Sequence, residues 1–509
     1  MPHTAYENLK QRFKTIWDIN TAMGVLSWDE EVIMPPKGND VRADQMGTLS
    51  VLSHQKLTDP QVADWLSAAE ESSDNLSDWD QRNLELMRRK YDLATALPDD
   101  LVRSLSEATT KCNFAWRQAR TDDDWSAIED QLKNVFDLTR EEGQAYTDVL
   151  DTDDPYSALH EQYDPGSSDD RIARIFGRLE DFLPDFIQQV VEFQKTQPPI
   201  PPLTGEFADD QQMELGRRVA EATGFDFDGG RLDISTHPFS TGYPGDKRIT
   251  TRIEDDPVKM VMTVLHEAGH AMYDNYLPSD WMGQPVGGDS RLSIHESQSL
   301  ILEKLAGRTR EFSEWLSDEM IDLFGSNHRD VFNPTPLHRR LIRVEPGYIR
   351  VEADEVTYPM HVILRWRIER DVIRNDMTVG EIPGRWNDLM DEYLGITPPN
   401  NTKGCLQDTH WFAGLIGYFP TYTLGALGAA QLFESATQEK SDIRPALVDG
   451  NFAPLVTWLT EHIHQFGRLK TPEELMADAT GSKLGTDAFQ QHLKQRYLPE
   501  LEGKSALAG

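Results

Sequence analysis

The sequence predicts a mainly α fold: one large, two-lobed domain with a small β-sheet set among long helices. Three observations carry this. Apolar residues recur at spacings of three and four over most of the chain. The runs are separated by short joints bearing Asp, Ser, Pro or Gly. Only residues 231–253 break into strand-like runs.

Residues 5–20 place Leu9, Phe13, Ile16, Trp17 and Ile19 at helical spacing. Residues 79–93, 101–118, 125–149 and 171–194 repeat the pattern, and each is predicted as one helix. The stretch 197–203, QPPIPPL, reads as a stiff extended joint between the lobes of a single domain spanning 1–509. Helix resumes over 209–223. Residues 231–253 read as short strands, LDIST and RITTRI, around the turn TGYPGD. Helical patterns return over 258–273 and 292–306. Residues 412–433 lack charged side chains over about the length a bilayer needs. Pro420 and several Gly and Thr there predict a loop and then a buried helix instead.

Composition narrows the function. The 509 residues are 38% hydrophobic and 27% charged, a globular balance. Acidic residues number 86 against 50 basic, a net charge of -36, which repels nucleic acid and anionic membranes, so neither is an expected partner. The acids are spread along the chain, as at Asp99, Asp100, Asp153 and Asp154, and suit a surface hydrated in concentrated salt. The two cysteines make no disulfide framework, and the first twenty residues hold no uninterrupted apolar stretch. The expected location is the cytoplasm of a salt-adapted organism.

The run VKMVMTVLHEAGHAMY at 258–273 carries His266, Glu267 and His270. Four residues apart on a helix, the two histidines aim their rings at one point, as Zn2+ requires. Glu267 is placed to act as general base toward an attacking water. A third ligand comes from LSIHESQSLILEKLA at 292–306, where Glu296, His295 and Glu303 are the candidates. Co2+ or Mn2+ suits a site of two His and one Glu as well. Asp274, four residues beyond His270, is placed to hydrogen-bond a ligand histidine.

At this point the chain resembles the thermostable carboxypeptidase (M32, carboxypeptidase Taq-like) family of zinc metallocarboxypeptidases. The likeness rests on His237-Pro238-Phe239, the DxRxT of 246–250, HEAGH at 266–270, HESQ at 295–298, IRVEAD at 349–354 and GCLQDTHW at 404–411. LSWDEEVIMPP at 26–36 adds to it. The resemblance implies a deep substrate cleft in a helical fold like that of neurolysin and the angiotensin-converting peptidases. It implies peptide substrates, release of single C-terminal residues with broad preference, and a homodimer. It makes Glu296 the third zinc ligand.

A carboxypeptidase must also hold a free carboxylate and an oxyanion. Arg350 is the preferred carboxylate-binding residue, with Arg248 next, because a guanidinium binds a carboxylate bidentately. His410 with Tyr422 is the preferred oxyanion donor pair, Tyr418 being the neighbouring candidate, and His237 is expected to hold the substrate backbone. Asp354 and Asp408 are expected to orient His270 or His410. Two other readings differ by product and by metal: an endopeptidase or dipeptidyl carboxypeptidase on the same fold, and a binding protein with structural zinc. The second lacks the closed, cysteine-rich ligand set usual for such a site.

Overall fold

The computed structural model describes residues 2–498. Helices α1 (Pro2–Val32), α2 (Asn39–Leu57), α3 (Pro60–Glu70), α4 (Asp78–Ala96), α5 (Asp99–Asp122) and α6 (Glu129–Leu150) open the chain. Then come α7 (Pro155–Tyr163), α8 (Asp169–Glu180), α9 (Leu183–Lys195) and α10 (Asp209–Thr223). Strands β1 (Gly230–Ile234), β2 (Ser240–Tyr243) and β3 (Asp246–Thr251) precede α11 (Pro257–Asn275) and α12 (Leu292–Leu300), which continues as a π-helical segment, Ile301–Ala306. Helices α13 (Arg310–Phe324), α14 (Arg329–Phe332), α15 (Pro334–Leu341), α16 (Tyr358–Ile373), α17 (Ile382–Leu394) and α18 (Pro420–Glu439) follow. The chain closes with α19 (Ile443–Ala446), α20 (Ala453–His462), α21 (Pro472–Thr480) and α22 (Asp487–Tyr497).

Local chemistry sets these boundaries. Asp59, Asp154 and Asp256 cap α3, α7 and α11 by accepting a backbone N–H two residues on, with Pro60, Pro155 and Pro257 in the first turn, where no N–H is needed. Helices α5 and α6 stop where Asp123 and Asp151 turn left-handed, at φ 56° and 51°. The single helix expected over 171–194 is two. Pro184 has no N–H to give to Glu180, so α8 ends there and α9 restarts at Leu183. The expected 125–149 helix begins with a separate 3-10 turn, Trp125–Ala127.

The sheet has one strand more than its alternating runs predict. Its order is β1-β3-β2, with β1 parallel and β2 antiparallel to β3. Strand β2, STGY, escaped because it has no apolar alternation and contains Gly242 at φ 101°. Thr250 clasps the β1–β2 connection: its hydroxyl lies 2.7 Å from Ser235 Oγ and accepts the Phe239 N–H at 2.9 Å. The first helix docks on the sheet through Trp28, whose ring lies under the guanidiniums of Arg231 (4.6 Å) and Arg248 (4.2 Å).

One large apolar core gathers side chains from Ala108 to Leu498, on both sides of the extended 197–203 stretch. A smaller one joins α1, α3 and α4 through Tyr6, Leu9, Phe13, Leu66 and Met87. As expected, residues 412–433 form a loop and then the buried start of α18, and no helix among the described residues is long and apolar enough to cross a membrane.

Helix α12 is gripped between α11 and α18 at two glycines. A Cβ on Gly269 would meet Gln298 O at 2.5 Å and Ser299 Cα at 2.6 Å. A Cβ on Gly425 would meet Cβ and Cγ of Glu296, each at 2.8 Å. Gly269→Ala therefore forces two helix backbones apart. It should lower stability by about 1–3 kcal/mol, the usual cost of overpacking; an unchanged denaturation midpoint would show that the helices do not meet this closely.

Candidate metal centre and the wall beside it

Helix α11 presents His266 and His270 one turn apart, their rings edge to face with centroids 4.9 Å apart. Glu296 of α12 comes between them: its Oε2 lies 3.9 Å from His266 Nε2 and 3.7 Å from His270 Nε2. One donor atom from each residue lies within 4.8 Å of the others, and this trio is the one such group found among the described residues. Two nitrogens and a carboxylate oxygen suit a divalent ion such as Zn2+ with a coordination position left open.

The other two third-ligand candidates have separate tasks. Glu303, in the π-helical segment, accepts from His266 Nδ1 at 3.1 Å. With Nδ1 donating to Glu303, Nε2 is the nitrogen that faces Glu296 and His270. Burial opposes the charge of this ring, but Glu303, Glu296 and Glu267 raise its pKa to about 9, so a divalent ion would displace a proton from Nε2. Burial works against the Glu303 charge, but Lys304, His266 and Arg308 outweigh it and hold its carboxyl far below the usual range. His295 stacks on His270, centroids 4.2 Å apart and planes 17° from parallel, with its Nε2 3.4 Å from Asp274 Oδ1. Asp274 is therefore bound to His295, and not to His266 or His270 as expected, and its other oxygen pairs with the buried Lys247.

Burial, then the neighbouring His295 and His266, pushes His270 well below the usual imidazole pKa, so its ring is neutral and able to bind a metal. Its Nδ1 is buried without a hydrogen-bond partner among the described residues. Glu267, 6% exposed, is pushed up to about 7 by burial first, with Glu296 and Glu303 adding and His266 and His295 opposing.

Beside this centre, at the start of α18, lies an aromatic wall with a buried arginine pair. His410 Nε2 is 3.3 Å from the Tyr422 hydroxyl, and the Tyr418 and Tyr422 rings meet at 5.3 Å. Burial, with Arg350 next, lowers His410 to about 4, so it is neutral. Arg350 is 6% exposed; its guanidinium lies 5.0 Å from the Tyr422 ring and donates to the Tyr358 hydroxyl at 2.9 Å. Asp408 accepts from Arg350 at 2.9 Å and from Arg365 at 2.6 Å. This corrects the expectation that Asp408 orients a histidine. Asp354 does not orient one either: it accepts the backbone N–H groups of Glu345, Val356 and Thr357.

The remaining sequence candidates stand apart from this cluster. Arg248 is tied bidentately to Asp246 at 2.8 and 2.9 Å. His237 is exposed on the β1–β2 connection, and its ring makes no hydrogen bond among the described residues. Sequence reasoning passed over Lys247, Tyr358, Arg365 and Glu369. Arg365 had a signal, a lone cation in the apolar run MHVILRW, seven residues from Tyr358 and so on the same helical face. Glu369, on the same helix, ties down the 411–417 loop by accepting from Trp411 Nε1 (2.8 Å) and the Gly417 N–H (3.1 Å).

Residues 8–497 match the family model of the carboxypeptidase Taq (M32) metallopeptidases. The chain is 34% identical to thermostable carboxypeptidase 1 of Thermus thermophilus, over 97% of this chain and 99% of that one. Its backbone superposes on metallocarboxypeptidase 1 of Trypanosoma cruzi with a TM-score of 0.95 at 35% identity, covering 97% of this chain and 99% of the other. The M32 carboxypeptidase of Deinococcus radiodurans gives 0.93 at 30% identity, covering 98% and 100%.

The Glu303–His266 contact makes a prediction of its own. Glu303→Gln keeps the size but removes the charge that holds His266 as an Nδ1–H donor. Divalent-ion affinity, measured by chelator competition, should fall by roughly 10–100-fold. Unaltered affinity would show that Glu303 does not orient the ligand.

Proposed function

The chain belongs to the carboxypeptidase Taq (M32) metallopeptidase family, and on that premise we propose that it releases single C-terminal residues with broad preference, using Zn2+ held by His266, His270 and Glu296. Membership makes it a metallocarboxypeptidase acting on peptides. The observation that carries the finer reading is the convergence of two imidazoles and one carboxylate beside a buried Glu267. The donor set supports zinc, and Co2+ or Mn2+ could replace it. Bound there, the ion would supply Lewis acidity, acidifying water and polarising the scissile carbonyl.

The protein groups divide the rest of the work. The Glu267 carboxylate takes a proton from the attacking water and delivers it to the leaving amine, and its raised pKa suits both directions of transfer. Tyr422 keeps its phenolic proton, because burial raises its pKa well above the usual value, and with His410 it forms the donor pair for the developing oxyanion. Tyr418 packs on both rings and shapes the pocket wall. The choice between arginines follows from charge. Arg248 and Asp246 neutralise each other, whereas Arg350 and Arg365 share the single carboxylate of Asp408 and keep a positive charge for the substrate carboxylate. Arg350 is thus the recognition residue, with Arg248 and His237 left to more distant substrate contacts.

The same reading takes 1–509 as one catalytic domain, working as a homodimer. The spread of acidic residues supports a salt-rich cytoplasm as its location, where unfolding should depend on molar salt.

Glu267→Gln should keep the metal and lose turnover by several orders of magnitude, since an amide accepts no proton from water; full activity in the metal-loaded variant would remove the general-base role. An amidated peptide should be cut about ten to a hundredfold more slowly than its free acid, the loss of a charge-assisted contact of roughly 1.5–3 kcal/mol. Amidation and Arg350→Ala should be non-additive in kcat/KM. Additive losses would move recognition away from Arg350.

A further inference from the structure

We propose that the cavity between α1, α4 and the segment joining α11 to α12 binds a small oxyanion, a phosphate-like or carboxylate group, for which inorganic phosphate is the simplest probe. The cavity has a volume of about 360 Å³, and Lys90, Arg291 and Arg468 line it together. Among the described residues, neither Lys90 nor Arg291 makes an ion pair or a side-chain hydrogen bond. Arg468 gives its Nε–H to the Asp289 carbonyl at 2.7 Å, and its terminal nitrogens find no acceptor among the described residues. Nearby Arg89 is held by Glu161, yet its Nε is buried without a partner.

Two carboxylates also line the cavity. Asp274 is already engaged by Lys247 and His295, so Asp289 alone stands against three cations. In a chain of net charge -36, an unpaired cationic recess runs against the surface around it. Mutual repulsion adds to desolvation in the groups themselves, with Asp289 and Glu161 opposing it. Lys90 is exposed to solvent, and partial desolvation against the cavity wall, then Arg468 and Arg291, lower its pKa. Arg291 is lowered to about 9 in the same way, by burial and then by Arg468 and Arg89. A bound oxyanion would relieve this repulsion with charge-assisted hydrogen bonds.

The backbone is shaped to hold the cations there. Arg291 has φ 109°, a conformation rare for any residue but glycine. Gly467, at φ 49°, lets the turn carrying Arg468 lie on Val286, whose carbonyl oxygen would stand 2.6 Å from a Cβ. Side-chain contacts join the cavity wall to the metal centre, because Asp274 lines it and binds His295, which stacks on His270. The oxyanion could be free in solution or could be an Asp or Glu side chain of the peptide being cut.

Binding is read without turnover, so the test stands apart from the proposed reaction. The metal-loaded enzyme is unfolded thermally while sodium phosphate replaces sodium chloride at constant ionic strength. A saturable rise in Tm is expected, with apparent phosphate affinity at least about tenfold weaker in Lys90→Gln and in Arg468→Gln. Phosphate on the metal would be common to all three proteins and would not produce this difference. No saturable response in the parent, or an equal response in the variants, overturns the site. Lys90→Gln decides the matter if Arg468→Gln fails to fold, because the Lys90 side chain makes no hydrogen bond or ion pair among the described residues. A second arm, resting on the proposed peptidase reaction, names the occupant. Saturating phosphate that raises KM only for a peptide with Glu before the cleaved bond, and not for its Gln counterpart, identifies a substrate carboxylate. Unchanged KM for both identifies a free anion.

Discussion

The close approach of α11, α12 and α18 at Gly269 and Gly425 sets the position of every donor at the centre. Two side chains on α11 share a face by helix geometry alone, but the third comes from another helix and depends on how near that helix can lie. Gly269 brings the α12 backbone within contact of α11, and Gly425 lets α18 press on the Glu296 side chain from the other side. With the carboxylate gripped in this way, little freedom remains to be lost when an ion binds, which favours affinity. The π-helical segment after Leu300 then brings Glu303 to the far nitrogen of His266. One packing constraint thus fixes both the donor set and the proton on one of its rings.

Around that constraint, buried charge is matched group by group. Glu303 is answered by Lys304, Arg308 and His266, Asp274 by Lys247 and His295, and Asp408 by Arg350 and Arg365. An ion left unpaired in the interior is costly, so each of these carboxylates holds its partners in place. Glu267 differs. No side-chain hydrogen bond contributes to its titration, and burial raises it to about 7, so its proton is exchanged near neutrality. A group that must pick up and release a proton near neutrality requires that condition.

Much of the fold and the pairing of His266 with His270 was legible because their signals are local, whereas Glu296 was singled out from His295 and Glu303 only by the family resemblance. Helix periodicity, Asp-Pro starts and the four-residue spacing of His266 and His270 each lie within one or two turns. What escaped was long-range or lacked a pattern. Strand β2 has no alternation and exists because β3 offers it an edge. The break at Pro184 was readable from proline chemistry, yet the apolar spacing runs on through it and masked it. The partners of Asp408 and Asp274 come from α16 and β3. No spacing joins these segments until they fold. Neighbourhood in the sequence suggested histidines as their partners; Asp274 does hold one, His295, but each buried carboxylate also takes a strong cation, Lys247 for Asp274 and the arginine pair for Asp408.

The same helix that presses on Glu296 also carries the phenol beside Arg350. Gly425 and Tyr422 lie three residues apart on α18, a rise of about 4.5 Å along the axis. A rigid element therefore links the proposed metal site to the proposed carboxylate site. In an exopeptidase, product length is the distance between the group that anchors the chain end and the group that attacks. If that distance were set by a loop, it would vary and the products would vary with it. The loop that does approach, 411–417, is denied that freedom by the bonds from Trp411 and Gly417 to Glu369 on α16. Under the proposed release of one residue at a time, the length of the product would be set by this helix and not by a loop.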